Sequence, residues 1–529
     1  MNVATDPWIP VVTVKGEPIL VSLMQVFTEG EKFADLAVRP YERVSLLRLF
    51  LCIAHAALDG PKDYEEWLSL PSRLSKSASQ YLGTWHDSFE LFDLQKPWLQ
   101  AAGISTEADT PTPWNDLSKW TSTSKLCLTY ASGHNPTLFD HEGMQEKRSI
   151  TIEMAILSLL SYQCFSPGGL MPQVFWHEKQ TTKSSRDSPC ISESMLHAII
   201  RGGNILTTIY LNMVPYEYIL HFYEDIGRPL WEMIPTSFYD EPNVQNATKT
   251  YLGRLVPLSR LVLLHQQEPY MLLGNALEYP TFSNGFAQEV TATVVRTKIR
   301  NTEKRILLSY RPTKSIWRQL PAILVKDKSF EVGGPLSLYN LRENQGFDLQ
   351  VCALAHNKGS LLDVFESVIA IPAQLDSDIG RNTYDAEIKR SEHIADILGK
   401  AVEMYRKKLD AAWERRLQNA GPQKGALRAQ LYDRAANFFW TAIEQNINLL
   451  ITFIQALDTE NAEHHKELWR HFLTSQALAA YNFACSNDTP RQILAFTEGW
   501  QFLNDTLIAL DILPNQQYKQ TEEGDEQSY

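Results

Sequence analysis

The chain has 529 residues, 44% hydrophobic and 21% charged, the composition of an ordinary globular protein and too long for one hydrophobic core. Its formal net charge of −13 argues against a free-standing nucleic-acid binder, while leaving room for a local basic patch or for a subunit whose partners supply the basic field. Six scattered cysteines without a CxxC pair imply neither a zinc ribbon nor a disulfide framework and fit a reducing cytoplasm; no basic-then-apolar leader and no apolar run of membrane-spanning length is read.

In chain order, Ile9 to Val21 predicts a hairpin turning at Lys15-Gly16, with Ser22 as the cap of a helix from Leu23. Residues 41–58 are apolar nearly all round and predict a buried helix, on which His55 reads as a packed core histidine. Trp85 to Trp98 is an aromatic core segment. From 120 to 149 the period is lost, and a polar loop of that length is usually functional or disordered. His134, Asp140, His141 and Glu142 in it invite a metal reading, but their spacing fits no standard helical metal motif.

Residues 150–165 predict a helix that ends at Ser166-Pro167-Gly168-Gly169. The glycines fit a helix stop, or equally a place where another backbone or a groove edge comes into contact, since no Cβ intervenes. The polar stretch 177–190 reads as mobile, and an apolar pattern resumes around Arg201-Gly202-Gly203. Three alternating runs, 251–256, 261–264 and 270–273, predict strands.

Between 296 and 328 stand ten basic residues against only Glu303 and Asp327. Arg296, Lys298 and Arg300 alternate at period 2, so a strand would point all three one way. A solvated sheet face and a phosphate-contacting one both fit that pattern. Gly333-Gly334-Pro335 then opens a stretch whose polar run Arg342-Glu343-Asn344-Gln345 is closed by Gly346, before a period-2 strand from Phe347. Such a loop tip is either simply solvated or placed to reach a partner. After a change of regime at 372–383, helices are predicted near 384–418, 425–456 and 462–485 and from Pro490, a four-helix bundle, followed by an acidic tail. The fold class is therefore α+β: a large mixed N-terminal domain over 1–375, the bundle over 384–514, and a disordered tail over 515–529.

Together these pieces resemble the CasA family, the large subunits of type I-E CRISPR Cascade complexes. The residues that carry the resemblance are Trp8-Ile9-Pro10-Val11, Asn135 to His141, Pro167-Gly168-Gly169, Arg201-Gly202 with Leu211-Asn212, Gly253-Arg254-Leu255, Arg342 to Gln345, and the terminal bundle. The resemblance implies a non-enzymatic cytoplasmic protein without a cofactor. Such a subunit reads the short protospacer-adjacent motif (PAM) of duplex DNA through the minor groove, starts R-loop formation, and recruits a separate helicase-nuclease. Its partners would be the other Cascade subunits, the CRISPR guide RNA held by the complex, and double-stranded target DNA.

By the same resemblance Gly168 and Gly169 match a glycine loop along the groove, and Gln345 matches a wedge, beside Asn344. Tyr130, His134 and Asn135 match a docking and PAM-proximal loop, and Arg296, Lys298 and Arg300 lie where a basic strand guides the displaced DNA strand. Two features depart from the family. No lysine between Leu272 and Phe286 matches the groove-entering lysine, and the paired cysteines of some relatives are missing, so no zinc site is carried over. Two other readings remain: a Cascade variant coupled to a transposition or other nuclease module, and a metal-dependent nuclease using Asp140, His141 and Glu142.

Overall fold

The computed structural model describes residues 1–108, 117–130, 140, 149–166, 168, 170–177, 179–184, 187–192, 194–282, 289–299, 302–327, 329–342, 345–357, 360–410 and 423–509. The chain divides into two compact units, Met1–Arg342 with Phe347–Ala370, and Glu343–Gly346 with Ile371–Tyr529.

The first unit is built on the helix Pro40–Leu58, which is buried on nearly every face. An element this apolar must be covered all round. Helices Leu74–Thr84, Ile152–Phe165 and Tyr251–Leu255 and the strand Phe347–Asn357 pack on it. The N-terminal hairpin forms as the Lys15-Gly16 turn predicts, with Ile9–Thr13 between Pro18–Val21 and Phe33–Leu36. Ser22 caps the helix Leu23–Glu29 in a reciprocal capping box with Gln25. Further three-stranded sheets place Tyr270–Asn275 between Thr121–Ser122 and Arg260–Leu264, and Phe347–Asn357 between Ser360–Ile371 and His197–Arg201.

Two local expectations are corrected. Tyr251–Leu255 is a helix, not a strand, because the Thr250 hydroxyl accepts from Gly253 N–H and starts a turn. The segment 177–190 is tied down where it is described. Lys179–Gln180 pairs with Phe175–Trp176, and the Asn275 amide donates to Thr182 O at 2.8 Å and Ser184 O at 2.7 Å.

A charged triad sits inside this unit. Glu289, 4% exposed, forms ion pairs with Arg48 and with Arg254, the latter at 3.2 Å. Arg48 also donates to Leu255 O at 2.8 Å. Burial alone would raise the Glu289 carboxyl, but the two guanidiniums outweigh it and hold it below the usual carboxylate range.

Two histidines are buried and neutral. Burial lowers His55 to about 3, against a partial opposing effect of its hydrogen bond to Gly60 O, and burial lowers His197 to about 3. Both titrate at about 6.5 once unfolded. The unfolded chain therefore binds protons that the native one refuses, and stability falls as pH drops below about 6.5 toward 3. The urea midpoint of this unit is expected to fall from pH 7 to pH 5, as its unfolding free energy declines with a limiting slope of ~2.7 kcal/mol per pH unit for two protons. A level midpoint over that range would contradict the neutral buried histidines.

The second unit is helical: Asp378–Asp410, Gln423–Gln445, Asn448–Gln455, Ala462–Ala484 and Pro490–Ala509. Along the first helix Ile388, Ile394, Leu398, Val402 and Tyr405 are all buried and form its core face. In the second helix Ala435, Phe439 and Ile443 are buried, and Phe438 stacks on Phe483 with ring centroids 5.0 Å apart. At Gly499 a Cβ would lie 2.2 Å from the Tyr481 hydroxyl and 2.7 Å from Ala401 O, so the helices cross too closely for any side chain there. Buried Glu387 bridges Arg470 at 2.7 Å and Arg390 at 3.4 Å. Among the described residues no helix is long and apolar enough to cross a membrane.

Candidate nucleic-acid interface

The basic window folds into a two-stranded antiparallel ribbon, Val294–Ile299 against Thr302–Leu307. Side chains alternate across a strand, and directly paired residues share a face. Arg296 pairs with Arg305 and Lys298 with Glu303, so one face carries Arg296, Lys298, Arg305 and Glu303, all exposed. Lys304 lies on the opposite face, across from Thr297. Arg300 is outside the described residues; the predicted common direction holds for Arg296 and Lys298. Sequence reading counted Arg305 among the basic residues but gave it no role, because nothing local says that it faces Arg296.

Gly168 follows the helix Ile152–Phe165, whose left-handed C-cap is Ser166 at φ +38°, not a glycine. It leads into a ladder in which Leu170 bridges Ser184 and Met171 N–H donates to Lys183 O at 2.8 Å. Gly168 is half-buried, Leu170 is 81% exposed and Lys183 is exposed. This ladder is pinned to the core by Asn275 and by Gly274, where a Cβ would lie 2.4 Å from Val174. The strand Tyr270–Asn275 thus has a packing role, with Met271, Leu272 and Leu273 buried. Asn275 was missed as a positioning residue; its signal, a polar residue ending an apolar strand, is weak. Gly169 lies outside the described residues.

Gln345 is exposed and follows the exposed Arg342 by way of Glu343 and Asn344, which lie outside the described residues. The stretch before the loop is a buried 3-10 turn, Leu336–Asn340, in which Asn340 donates to Met213 O at 2.8 Å. The strand Phe347–Asn357 follows. At Gly346 an added Cβ would lie 3.2 Å from Ile371 O. Gln345 therefore stands between a glycine held close to backbone and a polar run, with its side chain in solvent.

Tyr130 is half-buried, with the Arg39 guanidinium 6.0 Å from its ring centre. His134, Asn135, His141 and Glu142 lie outside the described residues. Among the described residues no group of three or more His, Cys, Asp and Glu side chains is placed to hold a metal ion.

Comparison with known proteins gives a consistent set of likenesses. The family described as CRISPR-associated protein Cse1 matches residues 2–480. A CRISPR-associated protein CasA/Cse1 from Thermus thermophilus is 26% identical over 429 residues, 76% of this chain and 78% of the relative. Among solved structures, a crystal structure of CasA from Thermus thermophilus superimposes with a TM-score of 0.73 at 20% identity, covering 96% of this chain and 99% of that one. Thermobifida fusca Cse1 gives 0.74 at 19% identity, covering 97% and 99%. A chain of a CRISPR RNA-guided surveillance complex gives 0.66 at 16% identity, covering 95% and 99%.

Proposed function

Because the chain belongs to the CRISPR-associated Cse1 family, we propose that it is the large subunit of a type I-E Cascade complex, a binding protein rather than an enzyme. It recognises the PAM of double-stranded DNA from the minor groove, starts duplex opening, and recruits a separate helicase-nuclease or other effector. The observation that carries this reading is the family match over residues 2–480. The likeness in fold to a chain of an RNA-guided surveillance complex supports other Cascade subunits and guide RNA as partners.

The physical chemistry is consistent with these roles. The minor groove is narrow and offers few distinguishing groups, so it suits backbone and small residues such as Gly168 and Gly169 better than a large side chain. Gln345, exposed beside Gly346, has an amide that can both donate and accept. Such a group can satisfy base edges as a pair parts, with Asn344 adjacent. Tyr130, His134 and Asn135 contribute to docking near the PAM, and Arg296, Lys298 and Arg300 follow the displaced strand. When sequence is chosen by RNA–DNA pairing, strand exchange is nearly balanced, because the heteroduplex formed is about as stable as the duplex it replaces, and modest protein contacts tip it.

The test is reconstitution of the surveillance complex with and without this chain. The complex containing it is expected to form R-loops on PAM-bearing duplex. The complex lacking it is expected to fail on duplex yet still pair with single-stranded target. Equal R-loop formation on duplex by both complexes would refute the proposal.

A further inference from the structure

The basic ribbon contains a conflict that its own fold partly relieves. Arg296 and Arg305 are cross-strand partners on one exposed face. Like charges placed directly opposite destabilise a strand pair. The counter-charge arrives from a third segment. Val294 and Gly333 exchange both backbone hydrogen bonds, 2.8 Å from Val294 N–H to Gly333 O and 2.9 Å in return. Two residues on from Val294 is Arg296, and two residues back from Gly333 is Glu331, so an antiparallel register sets them side by side. Their side chains form an ion pair. Gly333 makes this approach possible: its φ is +136°, and a Cβ there would lie 2.8 Å from Val325 O.

The Arg296–Glu331 pair lies on the surface, its side chains 47% and 51% exposed, and such a pair exchanges readily for another anion. Planar guanidiniums bind phosphate through paired N–H donors. Same-face residues on a strand, such as Arg296 and Lys298, are about 6.7 Å apart, so the face repeats its cations along one line. That repeat favours a nucleic-acid backbone over an isolated carboxylate.

We infer that Arg296 and Arg305 form a two-arginine phosphate clamp across the ribbon, and that Glu331 is its built-in competitor, holding Arg296 until a DNA phosphate displaces it. This rests on the proposed function in that it takes DNA as the partner. The opposed arginines are then tolerated because Glu331 neutralises one of them in the free protein and phosphate neutralises both in the complex.

The experiment uses the fully assembled complex and a PAM-bearing duplex, titrated over a salt series. Glu331→Gln keeps size and hydrogen-bonding capacity, and should tighten binding by about three- to tenfold at low salt. That gain should vanish in an Arg296→Ala background. Arg305→Ala should flatten the slope of log affinity against log salt by about 0.7–0.9, one phosphate contact. An unchanged affinity for Glu331→Gln overturns the competitor, as does an equal gain with and without Arg296, which would mark only a long-range charge effect. Unchanged salt slopes for Arg296→Ala and Arg305→Ala, alongside a Gln345→Ala complex that still opens duplex slowly, overturn the clamp and leave the proposed function standing.

Discussion

Glu289→Ala is expected to destabilise the first unit by about 3–5 kcal/mol, the cost of removing one partner from a buried ion pair. The reason is geometric. Arg48 and Arg254, with side chains 5% and 1% exposed, would keep their charges in a place water does not reach. Arg48 is also fixed by donating to Leu255 O at 2.8 Å and Arg254 O at 2.5 Å, and so cannot swing out to solvent without orphaning two carbonyls. Glu289→Gln should cost less, because an acceptor remains although the charge is gone. The measurement is urea unfolding of the three proteins at pH 7, above the range in which His55 and His197 add their own pH dependence. A loss below about 1 kcal/mol for Glu289→Ala would mean that the triad is not closed in solution.

The triad also marks where sequence reading stops. Gly253-Arg254-Leu255 was legible as a motif but not as half of a buried ion pair, because Glu289 is remote in the chain and nothing local announces it. Its role in the fold is plain: Arg254 is paired, and a Cβ at Gly253 would fall 2.3 Å from Asn246 O. Trp8 is likewise a core residue, its indole N–H donating to Val3 O at 2.8 Å. Asn212 completes a strand edge by accepting from Ile200 N–H at 3.0 Å and donating to Ile200 O at 2.7 Å. Several residues that carry the family resemblance therefore hold the scaffold.

The long amphipathic pattern of Asp378–Asp410 was read correctly, since a period sustained over twenty or more residues has few alternatives, while the run predicted as one helix near 425–456 is divided into Gln423–Gln445 and Asn448–Gln455. Short ones were not. Five apolar-rich residues at Tyr251–Leu255 fit a strand or one helical turn, and the Thr250 cap decides between them. The exposed position of Gln345 was legible, because a polar run closed by glycine has little reason to be buried. The Arg296–Glu331 pair was not, because its partners are 35 residues apart and meet only through the backbone of Gly333.

The second large effect concerns Gln345. A wedge acts when a base pair opens, not when the duplex first docks. Unstacking one step costs a few kcal/mol, and a side chain filling the gap offsets part of it. Gln345→Ala should leave folding and assembly intact, since an exposed loop substitution is usually worth within about 0.5 kcal/mol. Gly168→Leu should act differently. On its proposed placement along the groove, a leucine there would hinder approach to the PAM itself, and so slow both paired and pre-opened targets so long as the PAM stays duplex.

The decisive measurement is the rate of R-loop formation by the assembled complex on a fully paired target and on one pre-melted beside the PAM, for Gln345→Ala against the unaltered chain. On the paired target the rate should drop by about tenfold, a barrier change of about 1.4 kcal/mol. On the pre-melted target it should stay within about twofold, because the opening cost that the proposed wedge would offset has already been removed. An equal defect on both targets would contradict the account, assigning Gln345 to reading or docking and leaving the duplex to be opened by something else.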